Sequence, residues 1–184
     1  LRDAFCPDSP HHLDLTPQQL GRTNPVFADI PVLTERDIAA QEGNLVYNPG
    51  FEKTWGWVYF RGEDARREQG AAHSGDWAGV VTLKDGGMKS AAPVPLQAGD
   101  EVEIWAWVRT EPGATATVSG ALFRGATWLG TYRAIGAASG PEGTRVAARF
   151  TWDEKQADRI DIEIAPRDGT VWVDDVGIRK IGAR

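Results

Sequence analysis

From Asn44 onward, apolar and polar residues alternate with a period of two, the signature of strands with one face turned to a core. Glu101–Thr110 puts Val102, Ile104, Ala106 and Val108 on one side and Glu103, Trp105, Trp107 and Arg109 on the other. Ala157–Ala165 repeats the scheme, with Ile160, Ile162 and Ile164 inward and Arg159, Asp161 and Glu163 outward. Further strands are predicted near 55–61, 65–70, 77–84, 87–92, 115–124, 127–133, 143–152 and 170–180. Turn signals separate them: Asp85-Gly-Gly87, Ala98-Gly-Asp100, Glu111-Pro-Gly113 and Ser139-Gly-Pro141. About nine short strands at this spacing, with no long amphipathic helix between them, predict a sandwich or barrel.

The first 43 residues carry no such alternation and are rich in proline and short polar residues, so the chain divides into an arm or linker, 1–43, and a β domain, 44–184. Thr16 before Pro17 reads as the cap of a short helix, and Thr34 as the cap of a second one running to about Gln41. Cys6 is the only cysteine, which excludes an internal disulfide framework. His11 and His12 are adjacent and point in different directions, a poor start for a metal site.

Composition changes this picture little. Twenty-one glycines, eight tryptophans and a single methionine suit a turn-rich β protein. The net charge of −6 argues against nucleic acid and an anionic membrane surface as partners, and against an anionic glycan unless basic residues cluster locally. No apolar run approaches the roughly 20 residues that cross a bilayer as a helix, so no membrane insertion is expected. The chain starts at Leu1 rather than Met, and a mature form or a piece of a larger protein is expected.

Four motifs in order resemble the jelly-roll carbohydrate-binding modules of the group that includes families 4, 9, 16 and 22. They are Asn44-Leu-Val-Tyr-Asn-Pro-Gly-Phe-Glu52 with Trp55-Gly-Trp57, then Ala72-His-Ser-Gly-Asp76, then Val94-Pro-Leu-Gln-Ala-Gly99 leading into Val102–Arg109, and last Val171-Trp-Val-Asp-Asp-Val176. The resemblance covers residues 44 to about 181 and implies an all-β fold, a β-sandwich of two antiparallel sheets arranged as a jelly roll. It implies a non-catalytic polysaccharide-binding module of a larger glycan-handling protein, secreted or at the cell surface or in the periplasm, with neighbouring domains as its other partners.

It also implies a structural calcium ion where the first strand, the His-Ser-Gly turn and the last strand meet. Its ligands would be the Glu52 and Asp174 carboxylates, with carbonyls near Gly50 and Asp76; such hard oxygen donors suit calcium. Asp175 has the opposite strand parity from Asp174, so only one of the two is expected to face the ion.

Sugar recognition needs flat aromatic rings for pyranose faces and planar polar groups for hydroxyls. The outward residues of 101–110 supply Glu103, Trp105 and Trp107. The segment 157–165, taken as a partner on the same wall, supplies Arg159, Asp161 and Glu163, and Arg124, Trp128 and Tyr132 extend it. Trp57 and Trp172 read as packing residues.

A jelly roll can also be an enzyme. Glu103 with Asp161 or Glu163 would be a glycosidase pair if the carboxyls lay about 5–5.5 Å or about 6.5–9.5 Å apart. Tyr59-Phe-Arg61 hints at a lyase base beside an arginine, but the companion strand of that motif is missing, and the three histidines form no general-base constellation. Three readings therefore stand at this point: a sugar-binding module, a spacer or protein-interaction module whose tryptophans are covered by the arm or by a partner, and a glycosidase or lyase.

Overall fold

The computed structural model describes residues 43–54, 56–60, 66–82 and 86–182. The two expected helices, Cys6, His11, His12, Trp55 and Arg61 lie outside them.

Eleven strands form among the described residues. They are β1 (Trp57–Phe60), β2 (Arg66–Gln69), β3 (Trp77–Val81), β4 (Gly87–Ser90), β5 (Val94–Pro95) and β6 (Glu101–Thr110). After them come β7 (Thr115–Arg124), β8 (Thr127–Ser139), β9 (Thr144–Thr151), β10 (Arg159–Asp168) and β11 (Val171–Gly182). Sheet A has the order β1-β4-β10-β7-β8 with β5 beside β10, and sheet B the order β2-β3-β11-β6-β9. Neighbouring strands run antiparallel throughout. The fold is the expected all-β sandwich.

The inward residues read from the sequence are the core. Val102, Ile104, Ala106 and Val108 of β6 and Ile160, Ile162 and Ile164 of β10 are all buried, with Val118, Leu122, Met88, Val171 and Val173. Burying each such aliphatic side chain stabilises the fold by roughly 1.5–3 kcal/mol. Gly120 on β7 makes room for this packing: a Cβ there would stand 2.4 Å from Ile160 Cδ1.

Four expectations need correction. First, β6 and β10 are not neighbours. β10 pairs with β7 and β4 in sheet A, while β6 lies between β11 and β9 in sheet B. Period two says which residues share a face, but it carries no information about which strand lies alongside. Second, β8 runs on to Ser139, and β5 is an extra strand of two residues, too short for any period and containing a proline.

Third, the segment from Asn44 to Glu52 forms no strand. It follows β11 through separate bonds, Leu45 N to Ile178 O at 2.7 Å and Val176 N to Pro49 O at 3.0 Å. The buried Asn44 amide completes the seam: Oδ1 accepts from Ile178 N and Val46 N, and Nδ2 donates to Val176 O.

Fourth, β11 carries a bulge between Asp174 and Gly177, with Asp175 in the left-handed region at φ 46°. A bulge adds one residue and reverses parity beyond it. The core residues are Val171 and Val173 before the bulge and Val176 and Ile178 after it. Strict alternation therefore fails at the Asp174-Asp175 pair.

Candidate functional site

Sheet A turns five of the eight expected ligand-binding residues away from the core or to its rim. Trp128 and Tyr132 stand on the edge strand β8, 51% and 49% exposed, with ring centroids 5.8 Å apart and planes tilted by 60°. Register places Trp128 opposite Phe123 and Tyr132 opposite the small Ala121, which in turn faces Asp161. The aromatic edge thus borders a low strip of sheet leading to the acids of β10.

Beside it lies a hollow of about 390 Å³ lined by Val58, Lys89, Ser90, Phe123, Arg159 and Asp161 among others. Asp161 is only 1% exposed and accepts a hydrogen bond from the Ser90 hydroxyl. Burial outweighs that bond and the nearby Lys89 charge, and pushes the carboxyl up to about 7. Glu163, opposite Lys89 in the register, is also raised by burial, against a hydrogen bond from Tyr132 that lowers it. Lys89 Nζ sits 5.3 Å from the Phe123 ring centroid. Arg124 serves the loop before β10 instead, which it ties down by donating from Nε to Gln156 O at 2.7 Å and from Nη2 to Lys155 O.

The other three, Glu103, Trp105 and Trp107, lie on the outer face of sheet B. The core separates them from Asp161 and Glu163, so Glu103 cannot join either acid as a glycosidase pair. Both tryptophans are partly covered by the protein's own side chains. Trp107 stacks under His73, with centroids 4.8 Å apart, and fills the space at Gly143, where a Cβ would come within 2.1 Å of Cζ2. Trp105 lies on Gly177, where a Cβ would come within 2.0 Å of its ring, and the guanidinium groups of Arg145 and Arg179 approach it to 5.3 and 5.4 Å.

Glu103 itself is 3% exposed under a thin cover of three arginines. Arg179 Nε donates to Oε2 at 2.7 Å, and Arg149 and Arg145 donate to Oε1 at 3.2 and 3.4 Å. Loss of water would raise its pKa, but the hydrogen bonds from Arg179, Arg149 and Arg145 prevail and hold the carboxyl below its ordinary value.

Of the residues expected to pack, Trp57 leans on the core and stacks with Phe51 at 4.5 Å. Trp172 lies on the outer side of sheet B, with Arg109 4.4 Å from its ring and Nε1 donating to Glu68.

The four residues expected at a metal ion meet at one corner. Glu52 Oε1 accepts from Asp76 N at 2.8 Å and Trp77 N at 3.1 Å. Asp174 is fully buried; Oδ2 accepts from His73 N and Ser74 N at 2.7 and 2.9 Å, and Oδ1 from Asp175 N at 2.8 Å. Gly50 lies between the acids: a Cβ there would be 3.5 Å from Asp174 Oδ1 and 3.9 Å from Glu52 Cγ.

Burial raises the Asp174 carboxyl to about 6, and no cation among the described residues offsets it. A buried acid without a counter-charge, beside a second carboxylate, fits a hard divalent cation. No three His, Cys, Asp or Glu side chains converge among the described residues, so an ion at this corner would need carbonyls for its other ligands. Asp175 is turned by the bulge onto the same loop, accepting from Ser74 Oγ at 2.6 Å and lying 2.7 Å from His73 Nδ1.

No family model and no curated protein matches the sequence. Solved structures do match. The CBM22-1 xylan-binding domain of Paenibacillus barcinonensis Xyn10C superposes with a TM-score of 0.57 at 16% identity, over 73% of this chain and 93% of that one. TmCBM61 in complex with β-1,4-galactotriose gives 0.56 at 21%, over 74% and 98%. The CBM22-1-GH10 modules of Clostridium thermocellum xylanase 10B, complexed with xylohexaose, give 0.57 at 19%, over 76% of this chain and 28% of that one.

The fold is the jelly roll of carbohydrate-binding modules.

Within that jelly roll the sequence missed Lys89, Ser90, Phe123 and Val58 around the hollow and the arginines above Glu103. Alternation along their strands would put Lys89, Arg145 and Arg149 outward, but it is the pairing of strands far apart in sequence that assembles both groups.

Proposed function

We propose that this chain is a non-catalytic polysaccharide-binding module whose glycan lies on the outer face of sheet A. The observation that carries the reading is the exposed Trp128–Tyr132 pair beside a hollow floored by the buried Asp161. Aromatic rings left half in water offer platforms for the apolar faces of pyranose rings, and a recessed polar floor offers partners for hydroxyls. Solved modules of the same fold bind xylan, xylohexaose and β-1,4-galactotriose, which supports a β-linked chain as ligand. One of them is joined to a catalytic module, which supports the role of an accessory domain in a larger, secreted protein.

Isothermal titration with xylan and β-1,4-galactan tests this. Wild type is expected to bind at least one, and Trp128→Ala and Tyr132→Ala each to weaken it about tenfold, equal to about 1.4 kcal/mol. Binding unaffected by both substitutions would remove the aromatic edge from the site.

The same reading includes a structural calcium ion held by Glu52 and Asp174 with carbonyls near Gly50 and Asp76. The ion would neutralise the Asp174 carboxylate and tie the segment before β1 to β11. Calcium at 100 times its dissociation constant would add about 2.7 kcal/mol of stability. Chelator should therefore lower the melting temperature of wild type, and leave Glu52→Ala and Asp174→Ala unmoved. A wild-type melting curve indifferent to chelator and to added calcium would exclude the ion.

A further inference from the structure

The arginines over Glu103 do more than cover a tryptophan. We propose that they form a second binding site, on the outer face of sheet B, for the carboxylate groups of an acidic, uronate-bearing polysaccharide. Arg145, Arg149 and Arg179 are its recognition groups and Trp105 lies beside them.

Register creates the cluster. Glu103 of β6 has Arg149 of β9 opposite it on one side and Arg179 of β11 opposite it on the other. Arg145, opposite Trp107, reaches back along the strand to the same carboxylate. Three guanidinium groups thus converge on one acid, and among the described residues no other acid pairs with them. Glu103 stays ionised and cancels one of the three charges, leaving a local surplus of two positive charges on a chain whose net charge is −6.

The surplus faces water. The side chains of Arg145 and Arg149 are 52% and 65% exposed and that of Arg179 37%, whereas that of Glu103 beneath them is 4% exposed. The acid therefore fixes the arginines from below and leaves their outer sides open. Ordering long side chains is a large part of what anion binding costs, and here the buried acid has already restrained them. Arginine matches carboxylate with two parallel hydrogen bonds, which a point charge cannot do.

Two further features select a sugar acid over other anions. Trp105 lies about a ring's width from two of the guanidinium groups, so one ligand unit can present a pyranose edge to the indole and a carboxylate to the arginines. The protein as a whole is acidic, with a net charge of −6, whereas a nucleic acid calls for a basic track along its backbone. The site is independent of the proposed sheet A site, since the core lies between them.

The test is titration of the full chain at low salt with polygalacturonate, with dextran sulfate and duplex DNA as plain polyanions. Wild type should bind polygalacturonate more tightly than either. Arg145→Gln combined with Arg149→Gln should weaken that binding at least tenfold, leaving Arg179 to balance Glu103. Arg145→Lys with Arg149→Lys keeps the charge and loses the paired hydrogen bonds, and should give an intermediate loss. Trp128→Ala should change nothing with this polymer. Melting curves check that each variant is folded, and the lysine pair serves if the glutamine pair is not. No binding to polygalacturonate, equal binding to dextran sulfate or DNA, or full retention in the lysine pair would each overturn the proposal.

Discussion

The two outer faces of the sandwich each bury a carboxylate, and they treat it in opposite ways. On sheet B, Glu103 disappears under three arginines that hydrogen-bond to it, and its pKa falls. On sheet A, Asp161 disappears into the sheet beside a serine, with Lys89 as a more distant charge, and its pKa rises to about 7. Similar loss of exposed surface thus goes with opposite shifts, because Asp161 lies deep in the sheet beside a serine whereas Glu103 lies shallow beneath three arginines. The aromatics follow the same division. Sheet B seats Trp105 and Trp107 on glycines and caps them with its own side chains, while sheet A leaves Trp128 and Tyr132 about half exposed. Sheet A thus leaves two aromatic rings open to water, whereas sheet B leaves open the outer sides of its arginines.

The largest test of this contrast is Asp161→Asn. A folded pKa of about 7 against an ordinary 3.8 means that the native state holds a proton which the unfolded state has lost. Stability should therefore fall as pH rises from about 4 to about 7, by up to about 4 kcal/mol. Asp161→Asn should make that limb shallower, leaving the parts due to Asp174 and Glu163, and should match wild type near pH 4 and exceed it near pH 8 in urea unfolding. An unchanged pH slope would mean that Asp161 ionises freely and that the two faces are alike. Glu103→Gln supplies the mirror image. The depressed pKa of Glu103 contributes stability that is present above its ordinary value of 4.5 and lost as pH falls through the lower folded value, so this variant should lose only that acid limb.

A smaller effect is expected from Gly177→Ala. The added methyl enters the seat of Trp105 and should cost about 1–3 kcal/mol by overpacking. Lifting the indole should also red-shift its fluorescence, and a melting curve identical to wild type would show that the ring moves aside freely. Smallest in stability is Trp128→Ala on the open face, expected within about 0.5 kcal/mol of wild type in unfolding. Its effect belongs to glycan binding, and a large loss of stability would show that sheet A uses this ring as packing.

Parity read from the chain identified the inward residues of β6 and β10, because side-chain direction in a strand is a local property. Proline and glycine likewise marked the turn after β6: Ala114 N bonds back to Glu111 O at 3.0 Å across Pro112 and Gly113, the latter at φ 82°. The ordered motifs led to the corner where Gly50, Glu52, Asp76 and Asp174 come together, since a bracketing corner needs only the two ends of one domain. The bulge at Asp175 was not legible, because inserting one residue against a partner strand is a property of the pair.

What the sequence by itself determined was the class of fold, the division of each strand into an inner and an outer face, and the supply of aromatic and charged groups on the outer ones. Tertiary structure decided which outer residues became neighbours. It separated Glu103 from Asp161 by the thickness of the core and gave one acid three arginines and the other a serine. Strand order joins residues far apart in sequence, as with Ser90 and Asp161 or Arg145 and Glu103, and alternation within a strand carries no record of it.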